Sequence, residues 1–409
     1  MATLHPFRAL RPVRSAAAAV AAVPYDVVNV EEARALADGN PLSFLHVSRA
    51  EIDLPSGTDV HSDAVYAQAL ENYTRLTQSS FETESEPSLY FYRLRMGDHE
   101  QLGIAGCFSI NEYDRNIIKK HERTRRDKED DRTRHMIALG AQTGPVFLTY
   151  RALADVNDLA RRATTQEPLF DFTAVDGVQH TLWQVVGPDC AAVVAAFSRI
   201  DTLYIADGHH REASAARART ELAQTGGGRS LGDGADFNTL LAVAFPHDQV
   251  KILAYNRAVL GLGGLTPKEF LAAVNQSFEV SPGSGEPRER GIIAMFFGGT
   301  WHALRSKVPP DPSDPIASLD VSVLQDQLLS PILGVVDVRT DKRIEFVGGA
   351  RGTHELEQHV HSGKGDVAFS LFPVSVADLM AVSDADAIMP PKSTWFEPKL
   401  RDGLLVHVI

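Results

Sequence analysis

The stretch Leu203-Tyr204-Ile205-Ala206-Asp207-Gly208-His209-His210-Arg211 passes from an apolar run through a sharp turn into a helical pattern. The apolar run predicts a short strand, and residues 212–219, rich in alanine and charge, predict a helix. Asp207 is placed to cap this helix. Gly208 allows a tight turn and the close approach of a ligand. The stretch therefore predicts a strand, a turn and the start of a helix.

This predicted helix N-terminus is a candidate phosphate site. The amides of a first helical turn have no partner within the helix, and with His209, His210 and Arg211 around them they form a seat for an anion. Because an aspartate beside a phosphate would repel it, we infer a bridging Mg²⁺ held by Asp207 and phosphate oxygens. The alternative is that Asp207 only caps the helix and that the histidines belong to a solvated first turn.

A second candidate lies in the charged run of residues 119–132, which contains His121-Glu122-Arg123-Thr124. Most of this run is predicted to be the solvated face of a helix that continues to Met136, with charged pairs three and four residues apart. Glu122 lies where a strand-like segment passes into the helical one. A glutamate there can accept the proton of an attacking hydroxyl. Charged residues are plentiful here, so the spacing also allows a surface role for Glu122.

A third candidate is the segment Met389-Pro390-Pro391-Lys392-Ser393-Thr394-Trp395-Phe396 near the C-terminus. Two prolines stiffen the chain before a lysine and two hydroxyls, which can recognise a small polar or phosphorylated ligand. The alternative is a proline-rich connection between strands in which Trp395 and Phe396 fill the core. The residues alone leave both interpretations open.

Composition limits the classes of function. The net charge of −13 disfavours a nucleic-acid partner, because affinity for the phosphate backbone comes from Lys and Arg. Cys107 and Cys190 are too few and too far apart for a disulfide scaffold or a structural zinc site, which favours a reducing compartment. An alanine-rich run at residues 16–23 follows three arginines, but it leads into Pro24 without an obvious processing site. No apolar stretch has the length that spans a bilayer. We therefore expect a cytoplasmic protein without a membrane partner.

Strand-like and helical segments alternate irregularly along the chain, which indicates the α+β class. Strands are predicted at residues 89–94 and 102–110, with a hairpin turn at Gly97-Asp98, and helices at residues 31–37 and 210–222. Residues 225–236 are nearly free of apolar side chains and are predicted to form a mobile loop. We predict a catalytic region at residues 1–263 and a second, C-terminal α/β region at residues 264–409.

The three candidate segments, taken in their order along the chain, resemble the domain-of-unknown-function family 1015. The match extends over nearly the whole chain. Its hallmarks are found in this sequence as Pro24-Tyr25-Asp26-Val27-Val28, Gly39-Asn40-Pro41-Leu42-Ser43-Phe44-Leu45, His121-Glu122-Arg123-Thr124, Ile205-Ala206-Asp207-Gly208-His209-His210-Arg211, Asp337-Val338-Arg339-Thr340-Asp341-Lys342 and Met389-Pro390-Pro391-Lys392-Ser393-Thr394. The family name carries no chemistry by itself.

A more distant resemblance, to the ParB/sulfiredoxin-like fold and to archaeal free serine kinase, implies chemistry. That enzyme has a His-Glu pair with a catalytic glutamate, an Asp-Gly-His-His-Arg phosphate motif and a late Pro-Lys-Thr-Thr substrate segment. The matching segments here are similar and fall in the same order. The resemblance implies a ParB/sulfiredoxin-like catalytic core with an N-terminal extension and large insertions in residues 1–263, while residues 264–409 contribute the Pro-Pro-Lys-Ser-Thr segment.

Carried over by position, the resemblance implies roles for individual residues. Glu122 is the general base, and Asp207 and His209 belong with it in the catalytic set. Asp207 also holds Mg²⁺. Nucleotide contacts come from His121, Arg123, Thr124, Gly208, His209, His210 and Arg211, and acceptor contacts from Lys392, Ser393 and Thr394. Glu122 and Asp207 are 85 residues apart, farther than in the archaeal enzyme, and Trp395 and Phe396 replace polar residues there.

The sequence thus predicts a phosphotransferase that uses ATP or ADP and acts on a small hydroxyl compound, with free L-serine as the acceptor. One alternative is a ParB-like switch that binds a partner and hydrolyses its nucleotide. The other is a metal-dependent hydrolase that uses His121, His209, His210 and carboxylates. The absence of a His-Glu-x-x-His helix in the sequence counts against this alternative. Monomer and homodimer both remain open.

Overall fold

The computed structural model describes residues 1–225 and 236–409. The chain forms two compact units. Unit 1 comprises Met1–Lys120, Thr124–Val250 and Pro398–Ile409, and unit 2 comprises His121–Arg123 and Lys251–Glu397. The predicted mobile loop at residues 225–236 lies outside the described residues, apart from its two ends.

The described residues of the two units contain the following strands. In chain order they are β1 (Leu4–His5), β2 (Leu10–Pro12), β3 (Phe81–Thr83), β4 (Leu89–Met96), β5 (His99–Ser109), β6 (Ile118–Lys119), β7 (Ala141–Gln142), β8 (Val146–Tyr150), β9 (Phe170–Thr173), β10 (Gln179–Val185), β11 (Leu203–Asp207), β12 (Thr239–Pro246), β13 (Lys251–Leu253), β14 (Tyr255–Val259), β15 (Phe278–Pro282), β16 (Ile292–Phe297), β17 (Thr300–Ser306), β18 (Ile344–Gly348), β19 (Val367–Ser370), β20 (Trp395–Glu397) and β21 (His407–Val408).

The helices are interspersed among these strands. They are α1 (Ala17–Val20), α2 (Val30–Ala37), α3 (Leu45–Ser48), α4 (Asp63–Ser80), α5 (Ile110–Asp114), α6 (Arg126–Leu139), α7 (Ala154–Ala163), α8 (Gly187–Phe197), α9 (His209–Thr225), α10 (Pro267–Ser277), α11 (Asp320–Leu324), α12 (Gly352–His361) and α13 (Val376–Asp384). Single turns of 3-10 helix lie at Arg14–Ala16, Ala50–Asp53, Asp236–Asn238 and Gly349–Arg351, and a π-helical turn at Gln325–Leu329 follows α11.

Unit 1 is built on a mixed sheet with the strand order β6-β11-β8-β12-β5-β4-β10-β9, and β1 pairs with β5. β11 is parallel to β6, and β12 is parallel to β8, whereas the other pairings are antiparallel. β8 and β12 are buried along their whole length, as expected for interior strands that read as continuous apolar runs. The predicted hairpin is present, since Met96 of β4 pairs with His99 of β5.

Two hydrophobic cores support unit 1. In the first, buried side chains of the sheet pack with those of α7, α8 and α9, for example Phe108 and Leu148 with Phe197. In the second, side chains of α2, α3 and α4 pack around Phe44 and Leu76. The predicted helices at residues 31–37 and 210–222 correspond to α2 and α9.

Unit 2 contains an antiparallel sheet with the strand order β15-β17-β16-β19-β14-β18. Its core includes Ala258, Phe296, Val347, Leu356 and Ala368 from the sheet and α12. β13 pairs with β20 beside this sheet. Mixed and antiparallel sheets together with helices confirm the predicted α+β class.

The unit limits differ from the predicted regions in three places. Unit 2 starts at Lys251, before the predicted boundary after residue 263, and it also includes His121–Arg123. Pro398–Ile409 belong to unit 1 because of pairing over long distances in sequence, since β21 pairs with β7 and Val406 forms a bridge with Leu10. Within the described residues, no helix is both long and apolar enough to cross a membrane.

We predict that His135 makes unit 1 sensitive to acid. Its Nε2–H donates to the Val47 carbonyl at 3.0 Å, and burial, followed by the charge of Arg132, lowers the pKa of His135 to about 4 from 6.5. The folded state therefore resists protonation of this ring. The stabilisation is fully present above pH 6.5 and is lost as the pH falls toward 4, by up to roughly 3 kcal/mol.

Urea unfolding of the wild-type protein and of His135→Gln between pH 7.5 and 4 would measure this effect. The glutamine amide does not titrate, so the difference in unfolding free energy between the two proteins should change across that interval. A difference that stays constant with pH would contradict the prediction.

Candidate functional site

The turn after β11 carries the first predicted motif. β11 ends at Asp207 and α9 begins at His209, with Gly208 between them at φ +93°. The Gly208 carbonyl accepts the amide of Glu212 at 3.1 Å, so the capping position of α9 is Gly208, and Asp207 lies one residue earlier. The carboxylate of Asp207 therefore lies at the end of a strand and beside the first turn of a helix.

Asp207 lies close to two cationic side chains of unit 1. Its Oδ2 is 3.3 Å from Nζ of Lys399 and 3.7 Å from the Arg211 guanidinium. Lys399 is 8% exposed, whereas the Asp207 side chain is 27% exposed. Lys399 is absent from the predicted set, since its partner is 192 residues away and no local pattern marks it.

Arg211 is folded beneath the turn. Its guanidinium donates to the Pro145 carbonyl, and the residue is 8% exposed. A Cβ placed on Gly208 would lie 2.9 Å from Nε of Arg211, so the glycine is required both by its positive φ and by this neighbour. Burial alone lowers the pKa of Arg211, but the charges of Asp26, Asp207 and Asp402 outweigh it and raise the pKa. The turn thus has a permanent positive charge under it.

The second motif reaches the same turn through its last residues. The amide of Arg125 donates to Nε2 of His210 at 3.1 Å, which requires an unprotonated Nε2 and therefore places the ring proton on Nδ1. The Thr124 hydroxyl donates to the Glu129 carboxylate. His209, the first residue of α9, is 8% exposed. Within unit 1, Thr124 and Arg125 thus lie at the turn that carries His210.

The beginning of the second motif belongs to unit 2, where it meets the third motif. The His121 carbonyl accepts the amide of Met389 at 2.8 Å, and Nε2 of His121 is 3.1 Å from the Thr394 hydroxyl. His121 is 1% exposed, while Glu122 is half-buried and Arg123 is exposed. Two segments 273 residues apart are thereby joined within unit 2.

Arg257 of β14 holds the third motif in place. It is 1% exposed, and one terminal nitrogen donates to the carbonyls of Pro391 at 3.2 Å and Lys392 at 3.1 Å. The other donates to the Tyr255 carbonyl. Burial lowers the pKa of Arg257 to about 10, so it stays charged at neutral pH. The sequence reasoning missed this residue, which lies in the fully buried strand β14 next to Ala258 and Val259. A charged residue beside this apolar pair was the available signal.

The predicted acceptor residues differ in their surroundings. Lys392 has φ +57°, and its Nζ lies 5.4 Å from the centre of the Tyr255 ring. The Ser393 hydroxyl donates to the Pro390 carbonyl at 2.5 Å, and Ser393 is 6% exposed, so this side chain stabilises the loop. Lys392 and Thr394 are half-buried and line its more open side.

The two aromatic residues that follow support the fold. Trp395 and Phe396 begin β20 and pair with β13. The Trp395 ring packs edge-on against Tyr255 at 5.1 Å and covers Gly348, and Phe396 is 1% exposed. Phe396 is thus buried, as the core-filling alternative expects, whereas Trp395 is half-buried. The ligand-binding role of the preceding loop stays a prediction.

The sequence of residues 4–322 matches a family model described as a protein of unknown function, DUF1015. The chain belongs to this family. The resemblance noted from the motifs is confirmed, and these residues include the first two motifs, whereas the third motif lies beyond them. No curated protein matches the chain in sequence.

Several solved structures are similar to this chain. A free serine kinase in complex with AMP has a TM-score of 0.36 and 15% identity over 73% of this chain and 92% of that one. A conserved hypothetical protein from Pyrococcus furiosus has a TM-score of 0.37 and 14% identity over 74% and 95%. SbnI from Staphylococcus aureus, truncated at its C-terminus, has 0.38 and 12% over 73% and 85%. Similarity at these TM-scores carries no inference about activity.

We predict that Gly208→Ala destabilises the turn. Alanine at this φ costs about 1–3 kcal/mol in backbone strain, and its Cβ would displace the Arg211 side chain as well. Gly177→Ala is the matched control in unit 1, because Gly177 has φ +80° but nothing within 4 Å of an added Cβ. Urea unfolding should show the larger loss for Gly208→Ala. Equal losses would mean that Arg211 moves aside without cost.

We also predict that Arg257→Met releases the third motif. It leaves three carbonyls without their donor, which should cost about 2–4 kcal/mol. Trypsin should then cut after Lys392 faster than in the wild type. Arg305→Met, which removes an exposed arginine paired with Glu289, is the control. Unchanged cleavage after Lys392 in Arg257→Met would show that the loop is held by other contacts.

Proposed function

We propose that this chain is a nucleotide-dependent phosphotransferase that acts on a small hydroxyl compound. Glu122 is the general base, Asp207 and His209 complete the catalytic set, and the turn at residues 207–211 holds the nucleotide phosphates. The donor is ATP or ADP. The likeness of the three motifs to those of free serine kinase makes L-serine the acceptor, with O-phospho-L-serine as the product.

The observation that carries this proposal is the parallel pairing of β6 with β11. Ile118 is opposite Leu203 and Lys119 is opposite Tyr204, so the chain leaves both strands at the same edge of the unit 1 sheet. Glu122 follows Lys119 by three residues, and Asp207 ends β11. Ligand sites form outside the carboxyl ends of parallel strands.

Covalent connectivity limits how far Glu122 can lie from this edge. Three residues span at most about 11 Å, so Glu122 is tied within that distance to Lys119 on one side. On the other side it is tied equally closely to Arg125, whose amide bonds His210. Both tethers are part of unit 1, so the two ends of the segment that contains the proposed base lie at β11 and at the turn that follows it.

The acceptor side of the proposal rests on contacts within unit 2. His121 bonds Thr394 and Met389, so the residue before the proposed base is fixed to the proposed acceptor loop. An acceptor held by Lys392 and Thr394 would therefore be bound near His121, the residue that precedes Glu122. Positioning of this kind supplies much of the rate enhancement in phosphoryl transfer.

The proposed reaction is an in-line displacement. The acceptor hydroxyl oxygen forms a bond to the terminal phosphorus of the nucleotide as the bond from that phosphorus to the bridging oxygen breaks. The electron pair of the broken bond stays on the departing AMP or ADP, and the hydroxyl proton moves to the Glu122 carboxylate. The amides at the start of α9 and the charges of Arg211 and Lys399 stabilise the transferred group.

The residues at the turn fit a magnesium ion. Mg²⁺ is commonly bound through one or two carboxylates together with substrate phosphates, and Asp207 supplies one partly exposed carboxylate here. When bound, Mg²⁺ would neutralise phosphate charge. Lys399 contacts the same carboxylate, and it would offset part of the repulsion between Asp207 and a phosphate.

We predict that Glu122→Gln lowers turnover by about 10²- to 10⁴-fold, because the amide cannot accept the hydroxyl proton. Nucleotide affinity should change little, since the phosphates are bound at residues 207–211. Glu71→Gln, at an exposed position of α4, is the control for a lost carboxylate. Phosphorylated product should be measured by mass spectrometry with ATP or ADP, Mg²⁺ and L-serine or a panel of other alcohols.

The same experiment separates the alternatives. Full activity in Glu122→Gln would remove the assigned base. Nucleotide loss without a phosphorylated acceptor would favour the ParB-like switch. Hydrolysis that depends on a transition metal would favour the hydrolase.

A further inference from the structure

Unit 2 contains a cleft of about 400 Å³ beside the third motif. Met389, Pro390 and Pro391 form one wall, and Arg123 lies at the cleft as well. Val338 and Arg339 form another wall. They belong to the segment of residues 337–342, which the sequence analysis quoted as a family hallmark without giving it a chemical role. The volume lies within the roughly 300–1,000 Å³ typical of sites for small molecules.

Arg339 is held in a fixed orientation. Its Nε and one terminal nitrogen donate to the two carboxylate oxygens of Asp337 at 2.9 and 2.8 Å, and its own amide donates to the same carboxylate at 3.0 Å. These hydrogen bonds lower the pKa of Asp337 to about 2, so the pair is charged at neutral pH. A guanidinium has five N–H donors in one plane, and the two that bond Asp337 fix the direction of the others.

The loop that carries Arg339 is fastened to the rest of unit 2. Gln325, in the π-helical turn after α11, donates to the Val335 carbonyl at 2.9 Å, and it also lines the cleft. The amides of Thr340 and Asp341 donate to the Asp337 carbonyl, which closes a turn around Arg339. The arginine is thus presented by a braced loop, and its side chain is 46% exposed.

We propose that this cleft binds an anionic group of the acceptor, a carboxylate or a phosphate, through Arg339 and Arg123. Arg123 would then contact the acceptor and not, as the resemblance implied, the nucleotide. The inference rests on the proposed function and specifies its substrate class as an alcohol that carries a negative charge. Two arginines against one aspartate leave the cleft with a net positive charge among its lining side chains. Planar guanidinium groups match carboxylate and phosphate oxygens in geometry.

The position of the cleft relates the anion to the reacting hydroxyl. Arg123 is the residue after Glu122, and Pro391 is the residue before Lys392. An anion bound at Arg123 and Arg339 would therefore leave the rest of the molecule near the proposed base and acceptor loop. The carboxylate of L-serine meets this requirement, and the apolar walls formed by Val338 and Met389 leave room for a larger body.

The test compares alcohols that differ only in the anionic group. Serine and ethanolamine differ by the carboxylate, and glycerol 3-phosphate and glycerol differ by the phosphate. Calorimetry on the full-length protein, without turnover, should measure binding of all four to the wild type, Arg339→Gln and Arg305→Gln. Arg305 is the matched control because it is an arginine of unit 2 with similar exposure and a single glutamate partner, and it does not line the cleft.

We expect Arg339→Gln to weaken binding of serine or glycerol 3-phosphate by about 10- to 100-fold, the usual effect of losing hydrogen bonds to a charged group. Ethanolamine and glycerol should bind equally weakly to all three proteins, and Arg305→Gln should behave as the wild type. The alcohol whose affinity falls in Arg339→Gln shows whether the cleft binds a carboxylate or a phosphate.

Two outcomes would overturn the inference: equal binding of the anionic alcohols to the wild type and Arg339→Gln, or no preference of the wild type for either anionic alcohol. Failure of the proposed function is a separate result. If Arg339 is needed for binding the anion but no acceptor is phosphorylated with any nucleotide, the cleft inference is supported and the phosphotransferase proposal is wrong.

Discussion

The parallel pairing of β6 with β11 is the constraint on which the rest of the candidate site depends. β6 is only two residues long, yet its direction decides where the chain between Lys119 and Arg125 leaves the sheet. An antiparallel β6 would send that segment toward the opposite edge, away from Asp207. The pairing is reinforced at the far end of the segment, because Arg125 bonds His210 at the start of α9. Strand direction and one hydrogen bond from a backbone amide to a histidine ring thus fix, within unit 1, the two ends of the segment that contains Glu122.

The proposed acceptor loop shows how a buried charge can position a loop. Pro390 and Pro391 supply no amide hydrogens, so this part of the loop is held through its carbonyls, and Arg257 supplies donors to the carbonyls of Pro391 and Lys392. Burying a guanidinium is costly, as the lowered pKa indicates, and the cost is reduced by three carbonyl acceptors. Trp395 and Phe396 fix the following residues by ordinary apolar packing. The loop is therefore constrained at both ends while Lys392 and Thr394 remain partly accessible.

Sequence patterns predicted elements that depend on neighbours along the chain. The β4–β5 hairpin, α2, α6 and the strand, turn and helix at residues 203–219 follow from local periodicity and turn residues, and the structure confirms them. Sequence patterns did not predict the contacts of Lys399, Arg257 and Arg339. The first two bond residues that are far away in sequence, and the third lies in a loop without periodicity. The position of Pro398–Ile409 in unit 1 was missed because β21 finds its partner β7 more than 260 residues earlier. The candidate segments were singled out by their residue types and turn chemistry, and the resemblance to known families then implied the roles of individual residues.

Lys399 changes the electrostatic argument for a phosphate at the turn of residues 207–211. The sequence suggested that Asp207 beside a phosphate needs a metal ion, because two negative groups repel each other. In the structure the carboxylate already has Lys399 at 3.3 Å and Arg211 at 3.7 Å, both nearly buried, where charges are screened less than at the surface. The two cations thus neutralise part of the charge of Asp207, although Arg211 also interacts with Asp26 and Asp402. A phosphate at this turn would therefore meet less repulsion than the sequence alone suggested, and a metal ion at Asp207 would lower the repulsion that is left and orient the phosphate oxygens.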